Sequence, residues 1–130
     1  MSTRAFNVVL VHGGFVDGSG WRGVHRILSD HGYEVSVIQN STASLASDVA
    51  VTTMDIAAQS RPVILVGHSY GGVVVTEAGN HPKVAGLVYI AAFVPDVGET
   101  QGELITKFPG SEVGPVSVPD TRRRSPIGER

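Results

Sequence analysis

Apolar residues occur along this chain in two alternating kinds of group. The first kind is short and continuous. Val8-Val9-Leu10-Val11 is β-branched, unbroken and stopped by Gly13-Gly14, which predicts a strand buried on both faces. Tyr33 to Ile38, Val63 to Val66 and Val84 to Ala92 have the same character. The second kind is spaced. Trp21, Val24, Ile27 and Leu28 fall at helical intervals, with Asp17 or Ser19 as caps and Gly32 as a stop. Ser44 can cap a helix with Leu45, Val49 and Ile56 on its apolar face. That helix must end before Arg61-Pro62, because a residue preceding proline avoids helical geometry. A third helix is predicted over Tyr70 to Gly79, ended by Asn80-His81-Pro82. Val73-Val74-Val75-Thr76 favours strand by propensity, but a helix buried on most sides tolerates β-branched residues.

Strands alternating with helices predict an α/β fold, a parallel sheet with helices on both faces. The expected strand order is second, first, third, fourth, which keeps every crossover right-handed. Residues 1–94 form the expected core. From Pro95 onward the pattern fades. Four of the seven prolines lie between Pro109 and Pro126, among glycines and beside Arg122-Arg123-Arg124, and no apolar period survives. Residues 95–130 are therefore read as irregular, with a disordered tail over roughly 108–130 and the arginines as a solvated run.

Composition narrows the function classes. The chain has 130 residues, 42% hydrophobic and 17% charged, enough for one domain with a real core. A formal charge of −2 points to neither nucleic acid nor an anionic membrane as partner. With no cysteine there is no disulfide frame and no thiolate metal site. The first apolar run is broken by Asn7 and lacks a small-residue cleavage site, so a cytoplasmic protein is expected.

The chemistry lies in Gly67-His68-Ser69-Tyr70-Gly71, a G-x-S-x-G sequence directly after the third strand. A serine hydroxyl is a poor nucleophile unless it is exposed near a base and an oxyanion site. A sharp strand-to-helix turn exposes it, and φ at Ser69 is expected to be positive. The Tyr70 N–H, at a helix N-terminus, can then face a developing oxyanion. A second donor must come from the loop His12-Gly13-Gly14-Phe15, and Gly14 is well placed to supply it. Each such donor is worth roughly 3–4 kcal/mol of barrier. His12, Gly13, Phe15, His68 and Phe93 are expected to line this site, with His12 bracing the glycine loop.

In these stretches the chain resembles the α/β-hydrolase superfamily, and more narrowly the small serine esterases that include plant methylesterases and hydroxynitrile lyases. The resemblance rests on Val11-His12-Gly13-Gly14, Trp21, Val63 to Gly72 and Leu87 to Asp96, and covers roughly residues 6–98 in order. It implies Ser69 as nucleophile, Gly14 and Tyr70 as oxyanion hole, and a small apolar ester or related small molecule as substrate, with no cofactor. The family is usually about twice this long and carries an Asp and then a His on later strands. Here the sole histidine after Ser69 is His81, expected at the far end of the third helix. Asp96 stands where some relatives place the acid; a loop or hinge role is the plainer reading. The chain thus reads as the first half of such an enzyme, truncated in or before its cap, and weak or inactive alone. A lyase acting on cyanohydrins and a non-catalytic relative that binds a small ligand or partner are the alternatives.

Other signals carry less. Gly18-Ser19-Gly20-Trp21-Arg22-Gly23 spells the dinucleotide fingerprint, but it stands too far from its strand, and the next strand ends in Gln39-Asn40 rather than an acid. His25 and His31 read as solvated, and no histidine pair has metal-ligand spacing, so no metal is expected. The fourth strand is too apolar for a solvent-facing edge, which predicts self-association through it.

Overall fold

The computed structural model describes residues 4–96, 99, 103 and 104. Four strands, β1 (Asn7–Val11), β2 (Val35–Ile38), β3 (Val63–His68) and β4 (Val84–Ile90), form one parallel sheet in the order β2-β1-β3-β4. Three helices connect them: α1 (Arg22–Asp30), α2 (Leu45–Ala58) and α3 (Gly71–Ala78). The expected order and the expected adjacency of the first and third strands are both observed.

Alternation along the strands divides the core in two. Val9 and Val11 on β1, with Val63 and Leu65 on β3, pack with Ile38 against Ile56 of α2 and Val74, Val75 and Ala78 of α3. Val8, Leu10 and Val66 pack on the other face with Trp21 and Leu28. Both faces of β1 are covered, and this accounts for its continuous apolar run. Each fully buried Leu or Val contributes about 1.5–3 kcal/mol of transfer free energy. Val73 to Val75 are helical and buried, so packing outweighs their strand propensity.

Several element ends differ from the expected ones. The second strand begins at Val35 rather than Tyr33, because a tight turn precedes it. His31 N–H donates to the Ile27 and Leu28 carbonyls, Tyr33 N–H to the Leu28 carbonyl, and Gly32 takes φ 86°. The first helix does not start as an α-helix. Asp17 accepts from Ser19 N at 2.8 Å and from Gly20 N at 3.2 Å, which opens a 3-10 turn, Gly18–Trp21, ahead of α1. Ser44 caps α2 as expected, accepting from Ser47 N. At the other end of α2, Lys83 Nζ donates to the Ala57 and Gln59 carbonyls, where a cation complements the helix C-terminus. β4 stops at Ile90, two residues short of the expected end, because Ala91 turns to φ 41°. The tail read as disordered lies outside the described residues.

Candidate active site

Among the described residues, four other than glycine have positive φ: Phe15 (62°), Thr42 (56°), Ser69 (53°) and Ala91 (41°). Each stands just beyond the C-terminal end of one of the four strands. That edge is where open parallel sheets bind ligands, and backbone strain gathers at functional sites.

Ser69 occupies the turn from β3 into α3. Its carbonyl accepts from Gly72 N at 3.0 Å and from Phe93 N at 3.1 Å, and its N–H donates to the Ile90 carbonyl at 3.4 Å. These bonds tie the turn to the segment following β4. The turn fits only because its neighbours have no side chain. A Cβ on Gly71 would strike the Val11 carbonyl, and one on Gly67 would lie 2.7 Å from the Gly71 carbonyl oxygen. A Cβ on Gly72 would strike the Phe93 carbonyl.

The glycine loop after β1 meets this turn directly. A Cβ on Gly13 would come within 2.7 Å of Ser69 Cβ and 3.0 Å of the His68 carbonyl oxygen. Gly14 faces open space. Gly14 and Tyr70 line one hollow of about 420 Å³, together with Phe15, Thr42 and Leu45. Phe15 is almost fully exposed beside it, at 93%. α3 begins at Gly71 with no side-chain cap, and its Gly72 and Val73 N–H groups bond back to the Ser69 and Tyr70 carbonyls.

His12 is buried and fully engaged. Its Nδ1 donates to the Gly13 carbonyl at 2.8 Å, and its Nε2 accepts from Asn40 N at 2.8 Å. Asn40 Nδ2 donates to the His12 carbonyl at 3.2 Å. The Nε2 lone pair is taken, so His12 braces the loop and has no free lone pair with which to act as a base. His68 packs edge-on to Trp21, with ring centroids 6.3 Å apart at 86°. Both line a mostly apolar hollow of about 340 Å³ with His12, Val24 and Ile90. Phe93 belongs to the site through its backbone, which bonds to Ser69 and abuts Gly72. Asp96 is exposed and forms a local turn with Glu99, which donates its N–H to the Asp96 carbonyl at 3.0 Å. His81 lies at the opposite end of α3, bonded to Ala78 and Lys83. Among the described residues no group of three His, Cys, Asp or Glu could hold a metal ion.

Sequence reading missed Asp48. It lies in the first turn of α2, 1% exposed. Its Oδ2 accepts from the Tyr70 hydroxyl at 2.8 Å, and its Oδ1 from Thr42 N at 3.3 Å and Ser41 Oγ at 3.4 Å. Burial, and then the Asp48 carboxylate, push the Tyr70 phenol above its ordinary pKa. A signal was present. Asp48 and Thr52 both fall on the apolar stripe of Leu45, Val49 and Ile56, where a polar side chain needs an internal partner.

A model of the alpha/beta hydrolase family matches residues 8–128. The chain belongs to the alpha/beta hydrolase family. It is 31% identical to a carbendazim hydrolyzing esterase of Nocardioides sp. (strain SG-4G), over 82% of this chain and 50% of that protein. It is 28% identical to methylesterase 8 of Arabidopsis thaliana, over 77% of this chain and 42% of that protein. The structure superposes on a pyrethroid hydrolase from Sphingobium faniae JZ-2 with a TM-score of 0.69 and 26% identity, covering 82% of this chain and 47% of that one. The chain thus spans about half the length of the curated relatives it matches.

Proposed function

We propose that this chain carries the nucleophile and oxyanion half of a carboxylesterase-type serine hydrolase. One observation carries the reading: Ser69, at φ 53° on the turn between β3 and α3, lies directly against the glycine loop that follows β1. Ser69 Oγ attacks an ester carbonyl, and its proton passes to a base. The backbone N–H groups of Gly14 and Tyr70 hold the oxyanion as the tetrahedral centre forms. Collapse expels the alcohol, which takes up the proton and leaves an acyl-serine. Water then releases the acid and restores Ser69. An ester with an apolar arm suits the hollow beside Gly14 and Tyr70, whose walls include Phe15 and Leu45.

Both ring nitrogens of His12 are bonded, the His68 ring packs edge-on against Trp21, and His81 lies at the other end of α3, so none of these three is engaged with the Ser69 hydroxyl. The isolated chain is therefore expected to turn over p-nitrophenyl acetate only feebly. A p-nitrophenyl phosphonate tests the nucleophile without needing turnover. With imidazole added as external base, the Ser69 Oγ–phosphorus bond forms, p-nitrophenolate leaves, and the serine proton goes to the imidazole. Peptide mapping should place one adduct on Ser69, and Ser69→Ala should remove it. Adducts scattered over several serines, or none on Ser69, would defeat the reading.

A further inference from the structure

We infer that Asp48 is a positioning residue of this site, holding the Tyr70 side chain and the Thr42 loop so that the Tyr70 N–H and the neighbouring hollow keep their geometry. The inference rests on the proposed role of Tyr70 as an oxyanion donor.

A backbone N–H cannot rotate by itself. Its direction follows the peptide plane between Ser69 and Tyr70, and Ser69 stands in a left-handed conformation costing on the order of 1–2 kcal/mol. Something must hold that plane against relaxation. Backbone bonds secure Ser69 from the β4 side. On the other side the tie is the Tyr70 hydroxyl, whose 2.8 Å bond to Asp48 Oδ2 links the start of α3 to the first turn of α2. The second carboxylate oxygen takes Thr42 N and Ser41 Oγ, in a loop whose Thr42 is itself at φ 56°. One carboxylate thus joins the strained Thr42 to Tyr70, the residue that follows the strained Ser69. Thr42 and Tyr70 are also two walls of the same hollow.

A helix-stabilising role alone does not account for this residue, although its charge suits the N-terminal turn of α2. α2 already has a cap, since Ser44 Oγ accepts from Ser47 N at 3.1 Å. The Asp48 oxygens take their donors from outside their own helix. Among the described residues no cation pairs with the carboxylate. A buried carboxylate without a counter-ion is costly unless hydrogen bonds satisfy it. An apolar residue would fill the same place on the helix at less cost.

Three variants of the full chain test the inference: Asp48→Asn, Tyr70→Phe, and Met54→Ala as a control at an exposed position of α2. Two readouts are taken. The first is local hydrogen exchange by mass spectrometry. Faster exchange is expected in residues 40–44 and 69–73 for Asp48→Asn, and in 69–73 for Tyr70→Phe, with β1 and β3 unchanged. The second is inactivation by the p-nitrophenyl phosphonate. The maximal inactivation rate should fall about ten-fold or more, with the half-saturating concentration unchanged, because a misdirected donor weakens the transition state and leaves initial binding intact. The control should alter neither. If Asp48→Asn does not fold, Tyr70→Phe decides alone. Unchanged local exchange, or a rise spread evenly over the sheet, would overturn the inference. Failure of the wild type to label at Ser69 would overturn the nucleophile reading instead, and the exchange pattern would still decide whether Asp48 positions the turn.

Discussion

Single residues at this site owe their conformations to contacts from other elements. Tyr70 is a case in which a titration should reveal such a contact. Burial and the Asp48 carboxylate raise its pKa in the folded state. In the unfolded chain it titrates near the ordinary value of about 10. Below that pH both states hold the phenolic proton, and the stabilisation is fully present. As pH rises past about 10 the unfolded chain loses its proton first, and that part of the stability disappears. Tyr70→Phe has no such proton. The stability difference between wild type and Tyr70→Phe should stay level from pH 7 to 9 and shrink above 10, read from urea midpoints. Tyr33 and Tyr89 are common to both chains and cancel. Parallel pH curves would mean that Asp48 does not hold the phenol.

Gly71 makes the steric counterpart. Alanine ordinarily gains up to about 1 kcal/mol over glycine in a helix. Here its Cβ would enter the Val11 carbonyl, which is backbone of the central strand and cannot yield cheaply. Gly71→Ala should therefore lower stability by about 2 kcal/mol or more. Gly20→Ala, in open space at ordinary φ, should change it by less than about 0.5 kcal/mol. Equilibrium urea unfolding of both variants checks the contrast.

At the scale of elements, pattern reading performed best where burial was complete. β1 and β3 are covered on both faces, so their apolar runs could be read directly. α3 was legible although its valines favour strand, because the turn at Ser69 demanded a helix behind it. The site was half legible. A fixed spacing carries Ser69, Tyr70, Gly13 and Gly14, but Asp48, Thr42 and Asn40 come from segments with no motif. Their partners are distant in sequence and appear only once α2 and α3 pack together. Element ends were the weakest part, since single hydrogen bonds such as Asp17 to Ser19 decide them.

β4 is, with β2, one of two edge strands among the described residues. It pairs there with β3 alone, and Leu87, Val88 and Ile90 are each about two-fifths exposed, at 38%, 42% and 44%. A flat apolar edge recruits further strands, and lysine on such an edge discourages it. The isolated chain is expected to elute from size exclusion with light scattering as oligomers. Val88→Lys should shift the distribution toward monomer. A wild-type chain that stays monomeric at high concentration would remove β4 as an association surface.

For the whole molecule, the sheet order has a kinetic consequence. β1 is central, yet Val8 pairs with Val35 and Asn7 with Val63. Among the described residues no hairpin offers a local start, and each ladder must wait for a crossover helix to bring its partner strand back. The entropy of closing those loops is spent before any pairing rewards it, so such topologies nucleate slowly. Throughout that interval the Val8–Val11 run is bare and can meet another molecule's run before its own partners arrive. Rapid dilution from urea should accordingly return more folded protein at nanomolar than at micromolar chain concentration. Light scattering should rise during the lag, before tryptophan fluorescence reports the enclosure of Trp21.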